Sequence, residues 1–369
     1  MALKPPGMCC LNISVPEVAC STGRQITGTE KMAALLDRYL SVHRILYVFI
    51  AVIGVPVNLV AIAILSRGKC GLSTCTTRYL VAMAAADLLT IVTQVILNQI
   101  NLYYFPWSFL SITPVCSVID TVRYTATDCS VWFTVTFTID RFVAICCQKL
   151  KIKYCTGKTA TVFLTITGVL FCLKNIPRYF TWEPKEIIES VPWFCKLMDN
   201  VFTDPGWVAY DWVDSVLSPF LPFAGILLLN ALTFRHILVS SRVRKGLKGQ
   251  SKGENRSDPE MESRRRSVVL LFTLSGNFIL LWLTLVVKFI YYQVSGKGFD
   301  FNDSEWIFHY IGVLLRDFSC CTNTFIYAVT QSKFREQMIS AVKYPFTSLL
   351  QYIKRKRVLS TSQRRPACL

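Results

Sequence analysis

Seven stretches of this chain are long and apolar enough to cross a lipid bilayer, and that repetition leaves few folds open. They lie at about 42–65, 78–101, 113–147, 158–180, 207–240, 265–294 and 304–330. A crossing takes about 20 predominantly apolar residues in helical form. Inside hydrocarbon every backbone N–H and C=O needs an internal partner, so such segments are helices. The expected fold is an all-α membrane protein: a seven-transmembrane helix bundle with a short amphipathic helix after the seventh span. Hydrophobic residues make up 52% of the chain, and mean hydropathy is +0.41, high for a water-soluble domain.

The loops orient the bundle. Arg67, Lys69 and Arg78 follow the first span, and Lys149, Lys151, Lys153 and Lys158 follow the third. Arg242, Arg244, Lys245, Lys248 and the run Arg264-Arg265-Arg266 follow the fifth, and the tail carries Lys354-Arg355-Lys356-Arg357. The alternate gaps are acidic, with Glu183, Glu186, Glu189, Asp199 and Asp204 in one and Asp300, Asp303 and Glu305 in the other. Basic loops face the cytosol, so the N-terminus is expected outside and the chain in the plasma membrane. Residues 1–41 then form an extracellular tail, 42–343 the bundle including an amphipathic helix at 331–343, and 344–369 a cytoplasmic tail. Two glycosylation sequons, at Asn12 and Asn302, fall outside, while a third at Asn255 falls inside. No cleavable signal peptide is visible near Met1, so the first span is expected to direct insertion. The polar stretch 246–262 reads as a flexible loop.

Several functions are disfavoured. The net charge of +17 tracks the loops and lacks a nucleic-acid motif, so anionic lipid is the expected partner and nucleic acid is not. The 15 cysteines lack zinc-site spacing. The histidines, His43, His236 and His309, are isolated in sequence, and neither HExxH nor a nucleophile elbow occurs, so catalysis is not expected. Internal repeats, a mark of transporters, are absent.

The third span is the most informative. It carries Cys116 near its outer end and Asp140-Arg141 at its inner end, about seven helical turns apart. A charged pair at the exit of a membrane helix suggests a switch, with a lipid-snorkelling arginine as the alternative. Cys195, in the long outer loop, faces the same oxidising side as Cys116; the residues alone leave a bridge or two unrelated cysteines open.

Motifs in order now carry a resemblance. They are Gly54-Val55-Pro56-Val57-Asn58, Met83-Ala84-Ala85-Ala86-Asp87, Cys116, Asp140-Arg141-Phe142, Pro222, Phe278 with Trp282, and Asn323-Thr324-Phe325-Ile326-Tyr327. The chain resembles the rhodopsin-like (class A) G-protein-coupled receptors over about 42–342. Within them, its phrases around Asp87 and Arg141 are most similar to the orphan group called probable G-protein coupled receptor 139 and its neighbour 142. The resemblance implies a Cys116–Cys195 disulfide and a heterotrimeric G protein as partner. It implies a switch built from Asp140, Arg141, Phe278, Asn323 and Tyr327. It also implies a polar core of Asn58, Asp87 and Ser130, with a sodium ion at Asp87 and Ser130 as the one cofactor. Departures are Phe142 for Tyr, Thr324 and Thr284 for prolines, Asn230 for a fifth-helix Tyr, and Thr165-Ile166-Thr167-Gly168 where a fourth-helix Trp is common.

The expected ligand site lies higher in the bundle. Asp120, Arg123, Thr127 and Ser130 recur on one face of the third helix. Asp214, Trp282, Lys288, Phe289, Arg316 and Asp317 complete the candidate set, with aromatics such as Tyr103, Trp107, Tyr291 and Tyr292 nearby. By family position Arg123 faces Asp317, so the two are expected to pair. The pair is either purely structural or a place where a ligand carboxylate competes for Arg123. In the similar orphan group, which responds to aromatic amino acids, an acid occupies the Arg123 position and an Arg the Leu285 position. The charge here is inverted, leaving an aromatic amino acid, a small organic acid or a peptide as ligand. The reading is thus a receptor driven between two states, with a non-coupling decoy and, more remotely, a transporter as alternatives.

Overall fold

The computed structural model describes residues 28–248, 259–295, 303–341 and 343. Asn12, Asn302 and Asn255, and most of the 246–262 stretch and the 344–369 tail, lie outside the described residues. Six helices are long and apolar enough to span a membrane: Ser41–Ser66, Thr74–Tyr104, Thr113–Cys146, Gly157–Thr181, Pro205–Arg242 and Arg265–Val294. A seventh helix, Asp303–Thr330, is less apolar because Glu305, His309, Arg316 and Asp317 fall within it. Residues 332–341 form the expected short helix, anchored by fully buried Phe334.

Local chemistry sets the helix starts. Ser73 caps the second helix by accepting from Thr76 N–H at 3.2 Å, and Thr156 caps the fourth by accepting from Thr159 N–H at 3.2 Å. The third helix opens with Pro114 in its first turn, where a missing N–H is harmless. It runs through the centre of the bundle, against the second, fourth, fifth and sixth helices.

The sequence places the fifth-helix irregularity at Pro222, but the break lies at Ser218–Pro219. Ser218 is non-helical (φ −151°, ψ 97°), as the residue before a proline tends to be. The turn there widens, and Leu221 N–H bonds to the Val216 carbonyl. Trp132 on the third helix donates its indole N–H to the Leu217 carbonyl at 3.1 Å, a buried acceptor the widened turn leaves short of a helical donor. Pro222 instead sits in the first turn of the following regular segment, Leu221–Lys248.

The long loop after the fourth helix folds as a β-hairpin that the sequence reading did not foresee. Strands β1 (Trp182–Ile188) and β2 (Val191–Leu197) pair antiparallel, closing across Ile188 and Val191. Glu189 and Ser190 both take positive φ (50° and 64°), the conformation that a two-residue hairpin turn demands. The Cys116–Cys195 disulfide, Cα–Cα 6.6 Å, ties β2 to the third helix.

Three apolar clusters hold the helices together. One, near Arg141, includes Tyr79, Phe133, Phe137, Leu270, Leu274, Tyr327 and Phe334. A second joins Tyr47, Ile50, Ile91 and Val95 to Cys320 and Cys321. The third joins Val131, Val135 and Ile226 to Phe278, Leu281 and Trp282. Close approach of the first helix requires Gly54, where a Cβ would meet Ile91 and Cys321 side-chain atoms at 2.5 and 2.7 Å. Leu280 (69% exposed), Val329 (76%) and Ile45 (67%) instead point outward, which suits contact with lipid.

Replacing Trp132 by Phe keeps the ring but removes the donor to Leu217. The expected outcome is a destabilisation of about 1–3 kcal/mol, read as a lower melting temperature in detergent with the fold retained.

Candidate functional site

At one end of the bundle Asp140 and Arg141 form a buried ion pair, each 7% exposed. Arg141 Nε donates to Asp140 Oδ2 at 2.9 Å. Two further ties were not foreseen. Arg141 Nη1 donates to Ser267 Oγ on the sixth helix at 3.1 Å, and the Cys75 thiol donates to Asp140 Oδ1 at 3.0 Å. The pair thus joins the second, third and sixth helices. Cys155, in the adjoining loop, places its sulfur 3.6 Å from the Asp140 carbonyl; burial pushes that thiol up to about 11, so it remains a donor. Ser267 and Cys75 gave no sequence signal, because serine and cysteine are common packing residues in membrane helices.

Midway along the bundle Asp87 accepts from Ser130 and from Asn323 Nδ2, the latter at 2.8 Å. Asn58 Nδ2 donates to the Gly54 and Cys320 carbonyls, both at 2.9 Å, leaving its Oδ1 without a partner among the described residues. The donor set is one carboxylate with hydroxyl and amide oxygens, which fits a small hard cation. Ser319 turns away, donating to the Arg316 carbonyl at 2.6 Å. Phe278 and Trp282 stack at 5.2 Å just above, and Tyr327 packs edge-on against Phe334 at 5.9 Å.

The upper bundle departs from expectation. Arg123 pairs with Asp120 on its own helix, not with Asp317; its Nε donates to Asp120 Oδ1 at 2.8 Å. Asp317 is held instead by the neighbouring Arg316, at 2.8 and 3.0 Å, by Tyr47 OH at 3.2 Å and by Gln94 Nε2 at 3.3 Å. A carboxylate three residues away on a helix lies within reach of Arg123, and the local partner wins over one across the bundle. Trp182 of β1 donates to Asp120 Oδ2 at 3.0 Å. Thr127 turns its hydroxyl to the Arg123 carbonyl at 2.9 Å. Lys288 bonds His309 Nδ1 at 2.9 Å, so that histidine is isolated only in sequence. Phe289 packs on Phe220 at 5.5 Å. A cleft of about 130 Å³ opens beside Asp120, lined by Leu97, Asn98, Asn101, Ile119, Trp182 and Phe194 among others. Of the expected ligand residues only Asp120 lines it.

Asp214 does not belong to this group. It bonds Lys174 and Arg178 of the fourth helix, the latter at 2.8 Å. Lys174 also meets Asp128 of the third helix at 2.8 Å, and Asn175 Nδ2 donates to Asp128 at 2.7 Å. Arg178 lies over Tyr124 at 4.1 Å, and Arg123 covers the same ring at 4.3 Å. This network ties the third, fourth and fifth helices together. The sequence reading missed Asp128, Lys174 and Arg178; the signal was three charges inside two apolar spans, each improbable there without a partner.

Comparison with known proteins agrees with this arrangement. The family described as 7 transmembrane receptor (rhodopsin family) matches residues 57–327. The chain belongs to that family: it is a rhodopsin-family G-protein-coupled receptor, a multi-pass membrane protein and not an enzyme. It is 23% identical to the growth hormone secretagogue receptor type 1 of Mustela putorius furo over 309 residues, 80% of this chain and 79% of that one. It is 24% identical to the type-2 angiotensin II receptor of Homo sapiens over 331 residues, 85% of this chain and 83% of that one. A FMRFamide receptor of Drosophila melanogaster is 23% identical over 221 residues, 56% of this chain and 39% of that one. The narrower orphan-group resemblance rests on the sequence phrases alone.

Removing Lys174 strands two buried carboxylates. Lys174→Met is expected to destabilise the receptor by about 3–5 kcal/mol, while adding Asp128→Asn recovers part of the loss. A double-mutant cycle on thermal unfolding checks this.

Proposed function

We propose that this receptor binds a peptide or small organic ligand at the Cys116 end and activates a heterotrimeric G protein at the Arg141 end. The carrying observation is the Asp140–Arg141–Ser267 arrangement: a buried guanidinium tied to the movable sixth helix by one hydrogen bond. That bond is the part of the lock a partner can break. Once the sixth helix leaves Ser267 behind, Arg141 is free to meet an incoming helix. Preservation of the pair speaks against a decoy. The basic loops place the Arg141 end in the cytosol and the N-terminus outside the plasma membrane. They also give that end a charge suited to an acidic partner and to anionic lipid.

For the ligand, the relatives favour a peptide over a free aromatic amino acid, since two are named for angiotensin II and FMRFamide. The polar core at Asp87 and Ser130 is read as the seat of a sodium ion that favours the resting state. The bundle at 42–343 is the functional unit, with Asn12 and Asn302 as glycosylation sites.

Two outcomes are expected in nanodiscs with purified G protein. Arg141→Ala loses stimulated GDP release, and Ser267→Ala raises basal release roughly tenfold, the equivalent of a charge-assisted hydrogen bond. Unchanged basal exchange in Ser267→Ala would refute the lock. Exchanging sodium for potassium is expected to lower the melting temperature of the native receptor and to leave Asp87→Asn unmoved.

A further inference from the structure

Two guanidinium groups stand in the upper bundle on different helices, Arg123 on the third and Arg316 on the seventh, close enough for each to sense the other's charge. Like charges in such a place are held only because each has its own carboxylate. Their attachments share one pattern. Arg123 uses Nε and Nη2 on Asp120, and Arg316 uses Nε and Nη2 on Asp317. Each bond pair leaves from one edge of the guanidinium, so its Nη1 is not committed to that carboxylate.

The carboxylates are equally informative. Asp120 keeps the Trp182 indole N–H at 3.0 Å if Arg123 leaves. Asp317 keeps the Tyr47 hydroxyl at 3.2 Å and the Gln94 amide at 3.3 Å if Arg316 leaves. Neutral donors therefore cover both acids independently of the arginines. That lowers the cost of an exchange in which an arginine changes partner, since neither acid is stranded. The cleft beside Asp120 supplies an apolar wall from Leu97, Ile119 and Phe194.

Resting on the receptor reading above, we infer that Arg123 and Arg316 together form a carboxylate clamp, and that the ligand is an acid with an apolar body. The carboxylate takes one N–H edge from each arginine, and the apolar body lies in the cleft under Trp182. Guanidinium groups are suited to such planar, two-point recognition. A free peptide C-terminus with a hydrophobic last residue and a small N-acylated amino acid share this chemistry. An amidated terminus does not.

The test compares N-acetyl-L-phenylalanine, a short peptide ending in free phenylalanine, and the C-terminal amide of each. Purified full-length receptor in nanodiscs is read both by thermal protection and by GDP release. At millimolar concentration at least one acid is expected to protect the receptor, and its amide to be weaker by roughly tenfold or more. The arm that protects better separates the peptide source from the small-acid source. Arg316→Gln is expected to weaken the acid by a similar factor, and Arg316→Lys to recover only part of it. Asp120→Asn removes a competing negative charge and is expected to tighten acid binding, the opposite of what a purely structural pair would give. Equal protection by acid and amide, or by neither, overturns the clamp, as does unaltered binding in Arg316→Gln. If an acid protects through both arginines yet does not alter GDP release, the clamp stands and the coupling proposal fails.

Discussion

A charge inside an apolar helical bundle must find its counter-charge there, and much of this receptor's architecture follows from that requirement. Arg141 meets Asp140, Arg123 meets Asp120, Arg316 meets Asp317, and Lys174 and Arg178 share Asp128, Asp211 and Asp214. Taking a charge out of water is expensive, and losing its partner is more so. Each pair therefore restricts helix rotation more sharply than apolar packing does, since a leucine accepts many neighbours and a buried lysine accepts few. Pairs within one helix leave that helix free to move as a unit. The Lys174 network crosses three helices and fixes them.

This division maps onto the bundle. The third and fourth helices and the outer part of the fifth are bolted by ions, by Trp132 on the Leu217 carbonyl and, through the disulfide, to the hairpin. The sixth helix has softer links: the stacked Phe278–Trp282 pair, apolar contacts with Ile226, Asn277 on Thr322 and the single bond from Arg141 to Ser267. A rigid frame beside a loosely tied element is what a two-state device needs.

The spans and the Asp140–Arg141 pair were legible in the sequence because length, hydropathy and order of motifs carry them. The polar core was too, since Asp87, Ser130 and Asn323 sit where the family places them and do meet. Partner choice was not legible. Arg123 has two acids within conceivable reach, and only side-chain geometry selects Asp120 over Asp317. Asp214 looked inward as a ligand residue because the fourth-helix cations that claim it were not weighed as charges in a span. The hairpin escaped because Glu189-Ser190 is not a sequence that announces a tight turn, and the fifth-helix break because two nearby prolines compete for the role.

The threonines at 284 and 324 have a mechanical meaning. Each keeps a backbone N–H where relatives carry proline, and the helices Pro259–Ser295 and Asp303–Thr330 run without interruption. Thr324 also anchors to the Val57 carbonyl at 3.3 Å. These two helices are stiff rods rather than jointed limbs, so displacement at one tip must reappear at the other as tilt or screw rotation of the whole shaft. The articulated element is the fifth helix, whose elbow at Ser218–Pro219 lets its lower half follow the sixth while its upper half stays bolted.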